Sequence, residues 1–211
     1  MPELPEVETV RRGVEPAVTG RTVRAVRFTP QGERLLQGIS PTEFSDYLIG
    51  RRFEALNRRG KYLVFVLDDG RFLIAHLRMT GRLEVEPTGT EEGQFFRAAI
   101  TLDDGNELRW RDVRRFGTWE VAGDLSALLC KLGPEPLEDD YLPSVLSAAL
   151  TGRHAPIKSV LLDQRRVAGM GNIYVDEALH RAQIHPRRPA GSLSEAEVLA
   201  LHAAMRVVPE L

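Results

Sequence analysis

Cysteine is nearly absent from this chain. Cys130 is the single one among 211 residues, which excludes an internal disulfide and any zinc site built on two or four cysteines. Its apolar setting, Leu128-Leu129-Cys130, predicts a buried filler. No apolar run is long enough to span a bilayer, and the acidic N-terminus lacks the basic-then-apolar order of a secretory signal, so a cytoplasmic location is expected. A strong charge imbalance is missing as well. The 28 Lys and Arg face 30 Asp and Glu, a formal −2, with a pI near 6.2, whereas nucleic-acid-binding domains are often strongly basic. Neither GxGxxG nor the Walker pattern occurs, which argues against a metabolite-phosphate loop. Low-complexity tracts are absent too.

What is present is a globular composition, 43% hydrophobic, enough for one large domain or two small ones with real cores. The charge is unevenly placed. Arg51, Arg52, Arg58, Arg59 and Lys61 cluster within 51–61, and Arg109, Arg111, Arg114 and Arg115 within 109–115, while much of the acid lies in 135–140 and in Asp-Asp-Gly turns. One basic face would result if these clusters share a side; solvated charge is the alternative.

The N-terminus reads Met1-Pro2-Glu3-Leu4-Pro5-Glu6-Val7-Glu8. Removal of Met1 would expose the Pro2 secondary amine, and α-amines titrate near 7.7–8.0 against about 10.4 for lysine. A neutral, nucleophilic fraction would then exist near pH 7, able to condense with a masked aldehyde to an iminium. Glu3 and Glu6 would supply acid and base. The same residues also read as a helix start, with Pro in the first turn, acids matching the dipole, and Leu4, Val7, Val10 and Val14 as an apolar stripe. The two readings are compatible.

Beyond that helix, β-branched and aromatic runs dominate to about residue 122. Segments 62–67 and 71–79 flank Asp68-Asp69-Gly70, and 98–102 and 107–110 flank Asp103-Asp104-Gly105, both hairpin signals. Met79 lies nine residues beyond Gly70 and Arg114 nine beyond Gly105, so stacked hairpins of similar orientation would bring both to one end. Asp124 is a candidate cap for a helix over 125–132, and Gly133-Pro134-Glu135-Pro136 with its acidic sequel reads as a linker. The helical part then comprises 157–165, a turn at 167–171, an Asn172 cap, 173–182, and a last helix to about 208 capped by Ser194 and Glu197. The fold class is α+β, a mainly β domain followed by a helical one. Gly169-Met170-Gly171-Asn172 admits two readings: small residues and a helix N-terminus suited to a phosphate, or a tight interhelical turn that needs glycine.

Taken together, Pro2-Glu3-Leu4-Pro5-Glu6-Val7-Glu8, Arg59-Gly60-Lys61-Tyr62-Leu63, His76-Leu77-Arg78-Met79-Thr80-Gly81, Asp112-Val113-Arg114-Arg115-Phe116-Gly117 and Gly169-Met170-Gly171-Asn172-Ile173-Tyr174 resemble formamidopyrimidine-DNA glycosylases, in order and over essentially the whole chain. Leu132-Gly133-Pro134-Glu135-Pro136-Leu137 adds a sixth motif. The resemblance implies an N-terminal β-sandwich with its helix (1–133), a linker (134–141) and a helix-two-turn-helix domain (142–211), with duplex DNA in the cleft between. It implies excision of 8-oxoguanine and formamidopyrimidines followed by β- and δ-elimination, by a monomer working on nucleoid DNA.

By that resemblance Pro2 attacks the sugar C1′, Glu3 acts as general acid, Glu6 orients or buffers the site, and Lys61 contacts phosphate and assists chemistry. Without it, Lys61 reads as an exposed strand-end lysine. Met79, Arg114 and Phe116 match a trio that fills the void left by a flipped base. Phe116 would wedge, Met79 fill an irregular gap, and Arg114 donate to the orphaned cytosine. Asn172 and Tyr174 would hold phosphates, His76, Arg115, Arg153 and Lys158 would add DNA contacts, and Glu177 would support the glycine turn. Leu4 in place of glycine, with Met79 and Arg114-Arg115-Phe116, points to the purine enzyme rather than the related endonuclease VIII.

Two features depart from the family. Its C-terminal four-cysteine zinc finger has no counterpart in a chain that reads Val207-Val208-Pro209-Glu210-Leu211 and contains no CxxC, so no cofactor is expected. Near Phe95 the family's usual Lys-His pair is also missing, which removes one DNA contact. These departures carry a rival reading, a lyase-only or non-catalytic DNA-binding fragment.

Overall fold

The computed structural model describes residues 2–207. Retention of Met1 and the expected end of the last helix at Val208 therefore lie outside the described residues. The chain forms two compact units: one is Glu6–Leu125 with Pro2, the other is Glu3–Pro5 with the chain from Ser126 onward. No helix among the described residues is long and apolar enough to cross a membrane.

The first unit is built on two four-stranded antiparallel sheets. β1 (Val23–Phe28), β6 (Phe96–Leu102), β7 (Asn106–Asp112) and β5 (Gly81–Pro87) form one, in that order; β2 (Phe53–Arg59), β3 (Tyr62–Leu67), β4 (Phe72–His76) and β8 (Thr118–Ala122) form the other. Their inner residues join one core, with Leu63, Phe65, Leu73 and Ala75 from one sheet meeting Ala98, Ile100, Leu108 and Trp110 from the other. Trp110 meets Trp119 edge-on at 5.6 Å, and Phe44 of α2 (Pro41–Leu48) stacks on Trp119 at 5.6 Å. Helix α1 (Leu4–Val18) adds Val7, Val14 and Val18 to this core, while Val10 is only partly buried. Both Asp-Asp-Gly hairpins form as their turns predict: β3 pairs with β4 and β6 with β7. Strand β4 ends at His76 rather than running on to Met79.

The basic clusters do not build one face. Residues 107, 109 and 111 share one face of β7 because strand side chains alternate. Arg109 is fully buried, donating to Glu107 (3.0 Å), Glu86 (2.8 Å) and the Thr90 carbonyl (2.8 Å). Arg111 pairs with Glu84 at 3.0 Å, Arg51 with Asp69 at 3.2 Å, and Arg58 with Glu8 at 3.2 Å. Most of this charge is spent on the sheet and on pinning the loop after β5.

The second unit packs α4 (Pro143–Leu150), α5 (Ile157–Leu162), α6 (Asn172–Arg181) and α7 (Glu195–Val207) around Leu146, Ile157, Leu161, Val175, Leu179 and Leu201. Several local expectations are corrected. The helix expected over 125–132 is the single turn α3 (Ser126–Leu129), and Cys130 after it is exposed because it follows the buried Leu128 onto the outer side of that turn. Helix α5 stops at Leu162, since Asp163 adopts an extended backbone. The stretch read as a linker is packed into this unit: Glu135 is 1% exposed, Gly133 N donates to the Gln164 carbonyl at 2.8 Å and Ala168 N to that of Pro134 at 3.0 Å. The Ser194–Glu197 capping box forms, with Ser194 N donating to the Glu197 carboxylate at 2.8 Å and Glu197 N to the Ser194 hydroxyl at 3.4 Å.

Replacing Arg109 with alanine leaves the buried Glu107 with Arg27, at 3.0 Å, and a long bond from the Thr101 hydroxyl, at 3.5 Å. Urea denaturation should show a loss of about 3 kcal/mol, the lower end for breaking a buried pair.

Candidate functional site

In the first unit, Pro2 and Glu6 line a cavity of about 670 Å³ together with Leu77, Met79, Phe95 and Asp112. Pro2 is half-buried and Glu6 exposed. Helix α1 is tied to the sheet through Glu8, whose carboxylate takes Arg11 at 2.9 Å, Arg12 at 2.8 Å and Arg58 at 3.2 Å. Burial alone would raise the Glu8 pKa, but the hydrogen bonds from Arg11 and Arg12 and the charges of Arg11 and Arg58 outweigh it and hold it at about 2. Arg58 also donates to the Gly60 carbonyl at 3.1 Å, so the same ion pairs brace the two-residue turn that carries Lys61.

Lys61 is 7% exposed, not the open strand-end lysine that the strand pattern alone suggests. Tyr62 pairs with His76 across β3 and β4, their rings edge-on at 4.5 Å. His76 is itself 7% exposed, and its Nδ1 accepts from Arg78 N at 3.0 Å. Burial, reinforced by the charges of Arg78 and Lys61, pushes its pKa down to about 3. The ring is neutral at pH 7 with its proton on Nε2, a hydrogen-bond donor without net charge.

The two nine-residue offsets converge. Arg114 N donates to the Thr80 hydroxyl at 3.0 Å, although β4 and β7 belong to different sheets. Met79 is 39% exposed and Phe116 51%, and the Arg114 guanidinium lies 4.8 Å above the Phe116 ring. Arg114 and Arg115 are both exposed. The backbone is strained here: Arg78, Phe95 and Arg115 have φ of 53°, 65° and 58°, each costing of order 1 kcal/mol for an L-residue. The sequence offered no role for Asp112, which opens the motif containing Arg114. It is 1% exposed and ties these segments together. Its place at the head of a run of exposed basic residues was the signal available.

In the second unit, Glu3 is 2% exposed and its carboxylate accepts from Ile173 N at 3.1 Å and Tyr174 N at 3.2 Å. The N-terminus of α6 is therefore occupied by the chain's own carboxylate, which satisfies two amides that a helix start leaves open. Those amides were the expected phosphate donors. The cap residue is Gly171, and Asn172 is the first helical residue, with no capping hydrogen bond from Gly171. Both glycines of the turn are required by close approach. A Cβ on Gly171 would lie 2.3 Å from the Glu3 carboxyl carbon, and one on Gly169, at φ +91°, 2.5 Å from Leu4. Asn172 and Glu177 are exposed and Tyr174 half-buried. Lys158 is ion-paired with Asp176 at 2.8 Å, and Arg153 is exposed on the turn after α4. Among the described residues no group of three or more His, Cys, Asp and Glu could hold a metal ion.

Comparison with known proteins adds a family context. Residues 1–119 match the model of the formamidopyrimidine-DNA glycosylase N-terminal domain and residues 132–210 that of the formamidopyrimidine-DNA glycosylase H2TH domain. The chain is 48% identical to the formamidopyrimidine-DNA glycosylase of Symbiobacterium thermophilum, covering 99% of this chain and 68% of that protein. It is 45% identical to that of Chloroflexus aggregans, over 99% of this chain and 76% of the relative. Among solved structures it resembles the Lactococcus lactis enzyme bound non-covalently to DNA containing an AP site, with TM-score 0.91, 34% identity, and coverage of 99% and 80%. A MutM complex with DNA containing carbocyclic 8-oxo-G matches at TM-score 0.91 and 35% identity, covering 99% and 78%.

His76 generates a pH prediction. Its folded pKa is depressed, so the unfolded chain takes up the proton first, and stability present above about pH 6.5 drains as pH falls toward 3. The loss should reach roughly 2 kcal/mol by pH 5, and His76→Gln should flatten this part of a melting-temperature profile.

Proposed function

The chain belongs to the formamidopyrimidine-DNA glycosylase family, and on that premise we propose that Pro2 is its nucleophile, with Glu3 serving the same sugar as general acid. The protein is a DNA glycosylase with the family's lyase activity, acting in base-excision repair of oxidised purines in DNA. The observation that carries the assignment of roles is the cavity shared by Pro2, Glu6 and Met79. Its volume falls in the range of sites that enclose small ligands. The rival reading, a lyase-only or non-catalytic fragment, is not favoured, because the likeness runs through both domains and 99% of the chain.

The free Pro2 amine attacks C1′, and the N-glycosidic bond breaks as the base leaves with the proton that the attacking nitrogen sheds. Glu3 protonates O4′ as the C1′–O4′ bond opens, giving an iminium at C1′. Loss of the acidified C2′ proton expels the 3′ phosphate, and a second elimination expels the 5′ phosphate. Hydrolysis of the iminium then returns the amine. The two N–H groups of α6 fix the Glu3 carboxyl in place, and such prior orientation lowers the entropic part of the barrier. Glu6, on the cavity wall, buffers the proton traffic. No step exchanges electrons with a redox partner.

Lys61 and the Nε2–H of His76 supply phosphate donors, and Arg115, Arg153, Lys158, Asn172 and Tyr174 extend the DNA contact. Lys158 does so by exchanging its Asp176 partner for phosphate; a pair of this kind is worth about 0–1 kcal/mol at a surface. Met79, Arg114 and Phe116 occupy the gap that base extrusion leaves in the duplex. All these residues come from one chain, so we read it as a monomer acting on nucleoid DNA in the cytoplasm.

Borohydride trapping on an 8-oxoguanine·cytosine duplex and on a preformed abasic duplex tests the nucleophile. Met1-free protein should be trapped on both, with the adduct at residue 2; absence of an adduct at that position defeats the assignment. Glu3→Gln should slow base excision by about 10²–10⁴, the usual contribution of a general acid, while leaving abasic-site cleavage within tenfold of wild type.

A further inference from the structure

Asp112 ends β7 at 1% exposure, and every polar atom it offers is engaged. Oδ1 accepts from the Thr80 hydroxyl and from Arg114 N at 3.1 Å, and Oδ2 from Gly117 N at 2.9 Å. Its own N–H donates to the Phe95 carbonyl at 2.9 Å, and its carbonyl accepts from Arg97 Nε at 2.9 Å. One carboxylate thus spans two loops that reach the same end of the first unit from different sheets. The loop carrying Met79 is closed by Gly81 N donating to the Leu77 carbonyl at 2.9 Å, and the loop carrying Arg114 and Phe116 ends at Gly117.

The Trp110 ring lies beneath both loop ends. A Cβ on Gly81 would come within 2.7 Å of its Cζ2, and one on Gly117 within 2.2 Å. The loops are therefore pressed onto one indole and clasped by one carboxylate. The strain falls where this arrangement predicts it. Of the four non-glycine residues with positive φ among the described residues, Arg78, Phe95 and Arg115 sit in segments bonded to Asp112. A left-handed L-residue persists where its surroundings over-determine it.

We propose that Asp112 is a positioning residue that locks the Met79 and Arg114–Phe116 loops into one preset arrangement, and so governs how the enzyme fills the void and reads the base opposite the lesion. It lies on the wall of the cavity that Pro2 also lines, and its carboxylate is spent on the two loops. The inference rests on the glycosylase reading above and deepens it. Asparagine keeps the shape of Asp112 but places an NH₂ against a backbone N–H on one side, so half of the clasp must open.

The test compares wild type, Asp112→Asn, Thr80→Val and Thr80→Ser. Amide hydrogen exchange on the free protein reads the clasp, and single-turnover excision of 8-oxoguanine opposite cytosine or adenine reads the function. Asp112→Asn should fold with a lowered melting temperature, exchange the Arg114 and Gly117 amides at least tenfold faster, and lose at least tenfold of the cytosine-over-adenine preference. Thr80→Val should show the same shifts at smaller size, and Thr80→Ser, which keeps the hydroxyl, should restore wild-type values.

A folded Asp112→Asn with unchanged exchange and unchanged preference overturns the proposal. Should that variant not fold, an unchanged Thr80→Val overturns it instead. A wild-type chain that excises no 8-oxoguanine refutes the functional reading, and the exchange rates then still decide whether the clasp exists.

Discussion

A buried carboxylate that must find partners is the constraint on which the first unit's working end depends. At the end of β7 the strand ladder stops, and a carboxyl buried in that place would be costly unless several donors converge on it. They come from Thr80, Arg114 and Gly117. Satisfying one charge thereby sets the course of two loops, and the exposed Met79, Arg114 and Phe116 inherit their positions from it. The apolar counterpart is Trp110, whose ring forbids any side chain at Gly81 and Gly117.

The second unit solves a matching problem with the opposite sign. The start of α6 leaves N–H groups open, and the chain answers with Glu3 rather than waiting for an external anion. Gly171 makes room for that carboxylate and Gly169 for Leu4, so the glycine turn is a cradle for the N-terminal segment. A phosphate-binding loop and a carboxylate-binding turn use the same physics, and only the occupant distinguishes them.

Charge follows the same economy elsewhere. A near-neutral protein that engages a polyanion must commit most of its arginines to internal partners and leave a few free to face DNA. Arg109, Arg111 and Arg58 are committed to Glu107, Glu86, Glu84 and Glu8, while Arg78, Arg114, Arg115 and Arg153 stand exposed. Net charge, a sum over both groups, hides this division, and the −2 of the whole chain is no guide to its contact surface.

Much of the fold was legible in order along the chain. The Asp-Asp-Gly turns announced both hairpins, and Ser194 with Glu197 announced the last helix, because each signal is a contact between residues a few positions apart. The resemblance carried the family and the candidate residues in the same way, motif by motif. What local pattern missed was set at a distance. Cys130 looked buried among leucines yet lies on the outer side of a single turn, and 134–141 looked like a linker yet is packed into the second unit, with Glu135 and Tyr141 buried. Arg109 looked like part of a basic face and is fully enclosed. Glu3 meets Ile173 across 170 residues, and Thr80 meets Asp112 across 32. The sequence by itself determined the elements, their order and the chemistry available, since these follow from backbone preference and side-chain type. Only the tertiary structure decided which donor each buried charge would take, because that choice depends on which distant segments packing brings within hydrogen-bonding reach.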